Sequence, residues 1–83
     1  MTSEKLNVEQ ISLKTKEYFE KVRGMKAYFF NVSECKIIPC EPRWKVVCSF
    51  ISNPFEGIEL EYDVIVENNG EVSRVSRRIN KID

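Results

Sequence analysis

Histidine is absent from this 83-residue chain, and its absence removes more chemistry than any other feature of the composition. Histidine is the commonest general base and metal ligand, so serine–histidine and cysteine–histidine catalytic arrangements are excluded. The chain has only three glycines, and each falls at an expected helix end or turn instead of in a phosphate-binding loop. Acid–base chemistry would therefore have to use carboxylates, and we expect a protein that is not an enzyme.

Cysteine is also scarce, and its three positions do not form a structural zinc set. Cys35, Cys40 and Cys48 would need a fourth ligand, and the chain has neither another cysteine nor a histidine. An odd number differs from the even count that is typical of secreted disulfide frameworks. We therefore expect free thiols, no metal site and no cofactor.

The chain lacks both an excess of charge and a long apolar run. Thirteen basic residues balance thirteen acidic ones, so nucleic acids and anionic lipids have no general attraction for it. No apolar run approaches the roughly 20 residues of a membrane helix, and the first ten residues lack the apolar core of a signal peptide. These absences predict one cytoplasmic domain over residues 1–83, with no membrane contact.

The first third of the chain predicts a helix over about residues 8–23. Asn7 is a favourable N-cap, Gln10 stands where a capping box requires it, and Gly24 is the expected C-cap. One apolar stripe repeats at spacings of three and four, at Val8, Ile11, Thr15, Phe19 and Val22. This stripe is the surface that we expect the helix to bury.

Two segments, "WKVVCSFI" and "IELEYDVIVE", alternate apolar and polar residues with a period of two, which predicts strands. The intervening "NPFEG" predicts a five-residue hairpin loop. The expected core-face pairs are Phe50 with Leu60, Cys48 with Tyr62, and Val46 with Val64. Trp44 is in phase with this face, so we expect it in the core.

Asn69-Gly70 is a strong hairpin signal, and it predicts a two-residue turn that pairs Asn68 with Glu71. The resulting pairs are Val64 with Val75, Leu60 with Ile79, Glu61 with Arg78, Ile65 with Arg74, and Tyr62 with Arg77. A helical stripe through Val72, Val75, Ile79 and Ile82 is the alternative. We favour the strand, because valine and isoleucine suit strands and the register opposes unlike charges.

Residues 25–40 leave an alternative open, since they fit either one strand or two. The segment from Tyr28 to Phe30 either extends a strand or connects onto the core. Cys35 to Pro39 resembles an edge strand, because proline cannot donate to a ladder, and Glu41 to Arg43 resembles a turn. The expected fold class is α+β, with one N-terminal helix packed on an antiparallel meander sheet of three to four strands.

Several residues are candidates for contact with a partner. Val47 and Ile65 interrupt the polar pattern of the face opposite the predicted core, and Phe55 falls in a loop. A partly apolar sheet face indicates either a dimer or partner contact, or cover from residues 25–31. Arg74, opposite Ile65, and Arg78 complete the candidate binding residues.

The order of helix, "RWKVVCSF", a proline-containing loop, "EYDVIVENNGEV" and "RR" resembles the gas vesicle accessory protein family of the O type. The resemblance covers roughly residues 44–79. Its matching residues are Trp44, Val46, Pro54, Tyr62, Val64, Gly70, Arg77 and Arg78. Asp63 stands where the family favours glutamate, and the family's terminal tyrosine is missing. The resemblance implies a non-enzymatic accessory role and no catalytic residues.

The functional hypothesis is a small non-enzymatic interaction or accessory protein that binds a protein partner or self-associates through its sheet. The alternative is a nucleic-acid-binding module that uses the basic residues Arg74, Arg77, Arg78, Lys81 and Lys45. A third hypothesis is a cation-binding site or a carboxylate-based active site at Glu59, Glu61 and Asp63. These residues also fit the solvated face of a sheet. Acidic residues opposite these basic residues on the neighbouring strand would count against the nucleic-acid alternative.

Overall fold

A computed structural model describes residues 6–78 and has one helical segment followed by four strands. The elements are α1 (Val8–Glu17), a π-helical turn (Tyr18–Val22), β1 (Tyr28–Ile37), β2 (Arg43–Ile51), β3 (Glu59–Glu67) and β4 (Val72–Arg78). The strands form one antiparallel sheet in the order β1-β2-β3-β4. The predicted α+β fold, a helix on a meander sheet, is therefore confirmed.

The start of α1 has the predicted capping box. The Asn7 side-chain oxygen accepts a hydrogen bond from the Gln10 backbone N–H at 2.8 Å, and the Gln10 side chain accepts one from the Asn7 N–H at 2.9 Å. These bonds satisfy backbone donors that a helix end would otherwise leave unpaired. The sequence alone was enough to locate this end of the helix.

The other end of the helix differs from the prediction, because residues 18–22 form a wider π-helical turn. The Arg23 N–H donates to the Tyr18 carbonyl, five residues back, so the turn holds one residue more than an α-helical turn. Val22 consequently rotates off the buried stripe and is 69 % exposed. Gly24 then ends the helix with φ at +66°, and the Met25 N–H donates to the Phe19 carbonyl.

The core forms between the helix and one face of the sheet, around Phe19. Its ring lies 4.9 Å from the ring of Phe50 and 4.8 Å from that of Tyr62, measured between centroids. The buried cluster contains Ile11, Phe19, Ala27, Trp44, Val46, Cys48, Phe50, Tyr62, Val64 and Val66. Trp44 and Cys48 are buried as predicted, whereas Val8, at the start of the predicted stripe, is half exposed.

The register between β2 and β3 is the predicted one. Phe50 lies opposite Leu60, Cys48 opposite Tyr62, and Val46 opposite Val64. The connecting loop spans residues 52–58 and is longer than predicted, because Ile51 and Glu59 form the last pair. An odd loop length still keeps the apolar residues of both strands on one face.

The β3–β4 turn contains three residues, so the predicted two-residue turn is wrong. The Glu67 N–H donates to the Glu71 carbonyl at 2.7 Å, and the Gly70 N–H donates to the Glu67 carbonyl at 2.9 Å. Val72 consequently lies opposite Val66 and packs on the core. The two-residue turn would have placed Val72 on the outer face.

An irregularity at Ser73 then restores the predicted register for the rest of β4. The confirmed pairs are Val64 with Val75, Ile65 with Arg74, Tyr62 with Arg77, and Glu61 with Arg78. The C-terminal segment is therefore a strand through Arg78 instead of a helix. The predicted pair of Leu60 with Ile79 lies outside the described residues.

Residues 28–37 form a single strand, which decides the alternative left open by the sequence. This strand, β1, ends at Ile37, before the predicted boundary at Pro39, and Arg43 already belongs to β2 instead of the turn. Its pairing with β2 is irregular at two places, and Phe29 has a φ of +54°. Met25 and Phe30 pack against the core, so this segment does not cover the outer face.

The helical part of residues 6–78 is short and amphipathic. Neither α1 nor the π-helical turn has the length and apolar character that crossing a membrane requires.

We predict that Phe19→Ala lowers the free energy of unfolding by about 3–5 kcal/mol, because it leaves a cavity between two aromatic rings. Urea denaturation followed by circular dichroism measures the loss, and Phe19→Leu gives a smaller loss if the alanine variant does not fold. Leu13→Ala is the matched control, because Leu13 is 56 % exposed on the same helix. An equal effect of the two alanine substitutions would contradict this account of the core.

Candidate functional site

The outer face of the sheet, opposite α1, is a mixture of charges arranged around Val47. Val47 lies between Glu34 of β1 and Asp63 of β3, its partners on the neighbouring strands. Although no described helix packs on this face, Val47 is only 3 % exposed, so its neighbours on the sheet cover it. Ile65 is half-buried and lies diagonally across from Val47. The apolar surface available on this face is therefore smaller than the sequence indicated.

Arg78 forms the ion pair that joins β3 to β4 on this face. Its Nε donates to both carboxylate oxygens of Asp63 at 3.0 Å. The hydrogen bond and the charge of Asp63 raise the pKa of the Arg78 guanidinium, and Glu61 adds a smaller contribution. Glu61 is the residue directly opposite Arg78, but the side chain reaches its diagonal neighbour instead. The sequence predicted the strand register and missed this choice of partner.

Two further ion pairs neutralise charge on the other strands. Lys36 Nζ lies 2.8 Å from Glu34 Oε2 on β1, and its hydrogen bond and charge hold the pKa of Glu34 below its ordinary value. Arg43 on β2 lies 3.3 Å from a carboxylate oxygen of Glu67 on β3. The alternating signs across the outer face therefore cancel locally, as expected for a solvated sheet face.

Arg74 and Arg77 differ from Arg78, because neither forms an ion pair with another described residue. Arg74 lies opposite Ile65 on the outer face, and Arg77 lies opposite Tyr62 on the core side. Both side chains are exposed. The strand β4 thus carries two exposed arginines that form no ion pair with a described residue.

Phe55 lies apart from the other candidate residues. It belongs to the loop beyond the ends of β2 and β3, and it is 98 % exposed. Its backbone N–H donates to the Asn53 side-chain oxygen at 3.0 Å, which shapes the loop without covering the ring. Val47, Ile65, Arg74 and Arg78 instead lie on the sheet, so the structure does not gather all five into one surface.

The carboxylates of β3 do not form a cation site with their described neighbours. Within residues 6–78, no group of three or more cysteines, aspartates and glutamates is placed to hold a metal ion. Asp63, one of the three residues of the hypothetical site, is already bound to Arg78. The third hypothesis therefore has no geometric support, and Lys81 of the nucleic-acid alternative lies outside the described residues.

The three cysteines have different exposure. Cys48 is buried in the core, and burial, with a smaller contribution from Asp63, raises the pKa of its thiol to about 12. Cys35 is half-buried, and burial also raises its pKa. Cys40 is exposed in the turn between β1 and β2. Nothing in these environments favours a reactive thiolate on Cys48.

Comparison of the chain with protein-family models, with curated proteins and with solved structures finds no match in any of the three. The charges, exposure and pairing of the sheet are therefore the observations that bear on its function.

We predict that the coupling free energy of Arg78 with Asp63 exceeds its coupling with Glu61, because the hydrogen bonds go to Asp63. Two double-mutant cycles measure this difference, one combining Arg78→Gln with Asp63→Asn and the other combining it with Glu61→Gln. Added salt is expected to weaken both couplings, since the groups are exposed. Equal coupling in the two cycles would refute the assignment of Asp63 as the partner.

We predict that a thiol reagent labels Cys40 first and Cys48 last in the folded protein. At about pH 8 the Cys48 thiol is almost entirely neutral, because its pKa is raised to about 12, and the thiolate is the reactive form. Mass spectrometry after timed labelling gives the order. Cys40→Ser should remove the fast phase alone, whereas labelling of Cys48 at the rate of Cys40 would contradict its burial.

Proposed function

We propose that this protein is a small, non-enzymatic, cytoplasmic interaction protein whose contact surface is its sheet. The observation that supports this proposal is the exposure of β4, which pairs only with β3 among the described residues and carries three arginines. Five of its seven residues are exposed. An unpaired strand edge has free backbone donors and acceptors, which another protein chain can use.

The partner is either another protein or a second copy of this chain. Direct pairing of two β4 strands is disfavoured, because it would bring the arginines of one copy against those of the other. Self-association would therefore have to use a different part of the sheet. The resemblance to the gas vesicle accessory family of the O type implies an accessory role of the same general kind.

A nucleic-acid-binding function is the second candidate, and the exposure of Arg74 and Arg77 favours it. Against it, Arg78, Arg43 and Lys36 are each paired with a carboxylate, and the net charge of the chain is zero. Phosphate contacts make binding steeply dependent on salt. A gel shift with single- and double-stranded oligonucleotides at two salt concentrations therefore tests this candidate.

Light scattering and affinity capture test the proposed interaction function together. The tagged chain is expected either to form a discrete oligomer or to recover a stoichiometric partner from a native extract after mild crosslinking. A folded variant such as Leu13→Ala, altered on the exposed side of α1, is the matched control and should behave as the unmodified chain does. A monomer at every concentration that recovers no partner would overturn the proposal.

A further inference from the structure

The two edges of the sheet are unequal as surfaces for an added strand. The edge strand β1 has two irregularities in its pairing and a residue, Phe29, with positive φ. Such features disrupt the regular spacing of free backbone groups and protect an edge. The strand β4 pairs without interruption from Arg74 to Arg78, so this part of its edge keeps the regular geometry of a strand. We therefore consider β4 the edge suited to pairing.

The side chains of β4 place positive charge on both faces of the sheet. Arg74 and Arg78 lie on the outer face, and Arg77 lies on the core side beside the half-buried Val75. The strand contains no acidic residue. A strand that pairs with this edge would gain most from acidic residues opposite the arginines and an apolar residue opposite Val75.

The inner side of β4 already binds a strand of this kind. On β3, Glu61 and Asp63 face the outer side, and Val64 lies opposite Val75. The ion pair of Arg78 with Asp63 is an example of charge complementarity between β4 and β3. Arg74 lies opposite the apolar Ile65 and forms no ion pair with a described residue, so its charge is available to a strand on the other side.

We propose, building on the interaction function above, that the edge of β4 with which no described strand pairs binds an extended acidic segment of a partner protein as a fifth strand of the sheet. Backbone hydrogen bonds along residues 74–78 hold the segment. Arg74 and Arg78 contact its acidic side chains on the outer face, and its apolar side chains pack beside Val75 on the core side. The same arginines exclude a second β4 strand and other basic segments.

The direct test uses the full chain and a capped peptide of seven residues, matched to the length of β4, in which glutamate and valine alternate. On adding the peptide, we expect the amide chemical shifts of β4 to change and those of β1 to stay the same. A peptide of identical charge with proline at its central position is the control, because proline removes a backbone donor and disrupts the extended pairing. It should bind at least about tenfold more weakly.

Two substitutions test the contribution of charge. Arg74→Glu should weaken binding of the alternating peptide by at least about threefold, because it replaces attraction with repulsion at an exposed pair. Lys26→Glu makes the same change of charge at an exposed residue outside the sheet, and its effect should stay within about twofold. Circular dichroism confirms that both variants are folded.

The outcomes separate this inference from the proposed function. Absence of peptide binding, equal binding of the proline peptide, or stronger binding of a single-stranded oligonucleotide with the same charge would each overturn the inference. If a partner is captured equally by the unmodified chain and by Arg74→Glu, the interaction function stands and the assignment to β4 fails. If neither binds any partner, the interaction function itself fails.

Discussion

The packing of Phe19 against Phe50 and Tyr62 is the contact on which the rest of the fold depends. A chain of 83 residues buries a small core, and this core has a single helix over a single sheet face. The π-helical turn places Phe19 at the centre of that contact and turns Val22 towards solvent. With one face buried in this way, no described helix covers the other face, and β1 and β4 are the edge strands of the described sheet.

The sequence predicted those features that repeat with a fixed period. Because one face of each element is buried, α1 has an apolar stripe, and β2 and β3 alternate apolar and polar residues. These patterns predicted the fold class and the register between β2 and β3. Features that add a single residue were missed, namely the π-helical turn at residues 18–22, the three-residue turn and the irregularity at Ser73. Each of these features depends on how side chains pack in three dimensions. The three-residue turn, for example, lets Val72 pack against the core.

For the candidate surface, the sequence predicted which residues lie opposite each other but not which side chains are in contact. The register placed Arg78 opposite Glu61 and Arg74 opposite Ile65, and both pairs occur. Arg78 binds Asp63, its diagonal neighbour on β3, because of the length and direction of its side chain, and a strand register does not specify these. Burial of Val47 on an otherwise polar face also depends on its neighbours, since charged side chains with long apolar stems can cover an apolar residue between them.

The irregularity at Ser73 has a consequence for how the chain can vary in length. Because Ser73 is the extra residue between two correctly paired segments, its deletion would leave Val72 opposite Val66 and Arg74 opposite Ile65. Deletion of a residue between Arg74 and Arg78 would instead move every following side chain to the other face. Relatives of this protein are thus expected to tolerate loss of a residue at Ser73 and to conserve the spacing of the arginines beyond it.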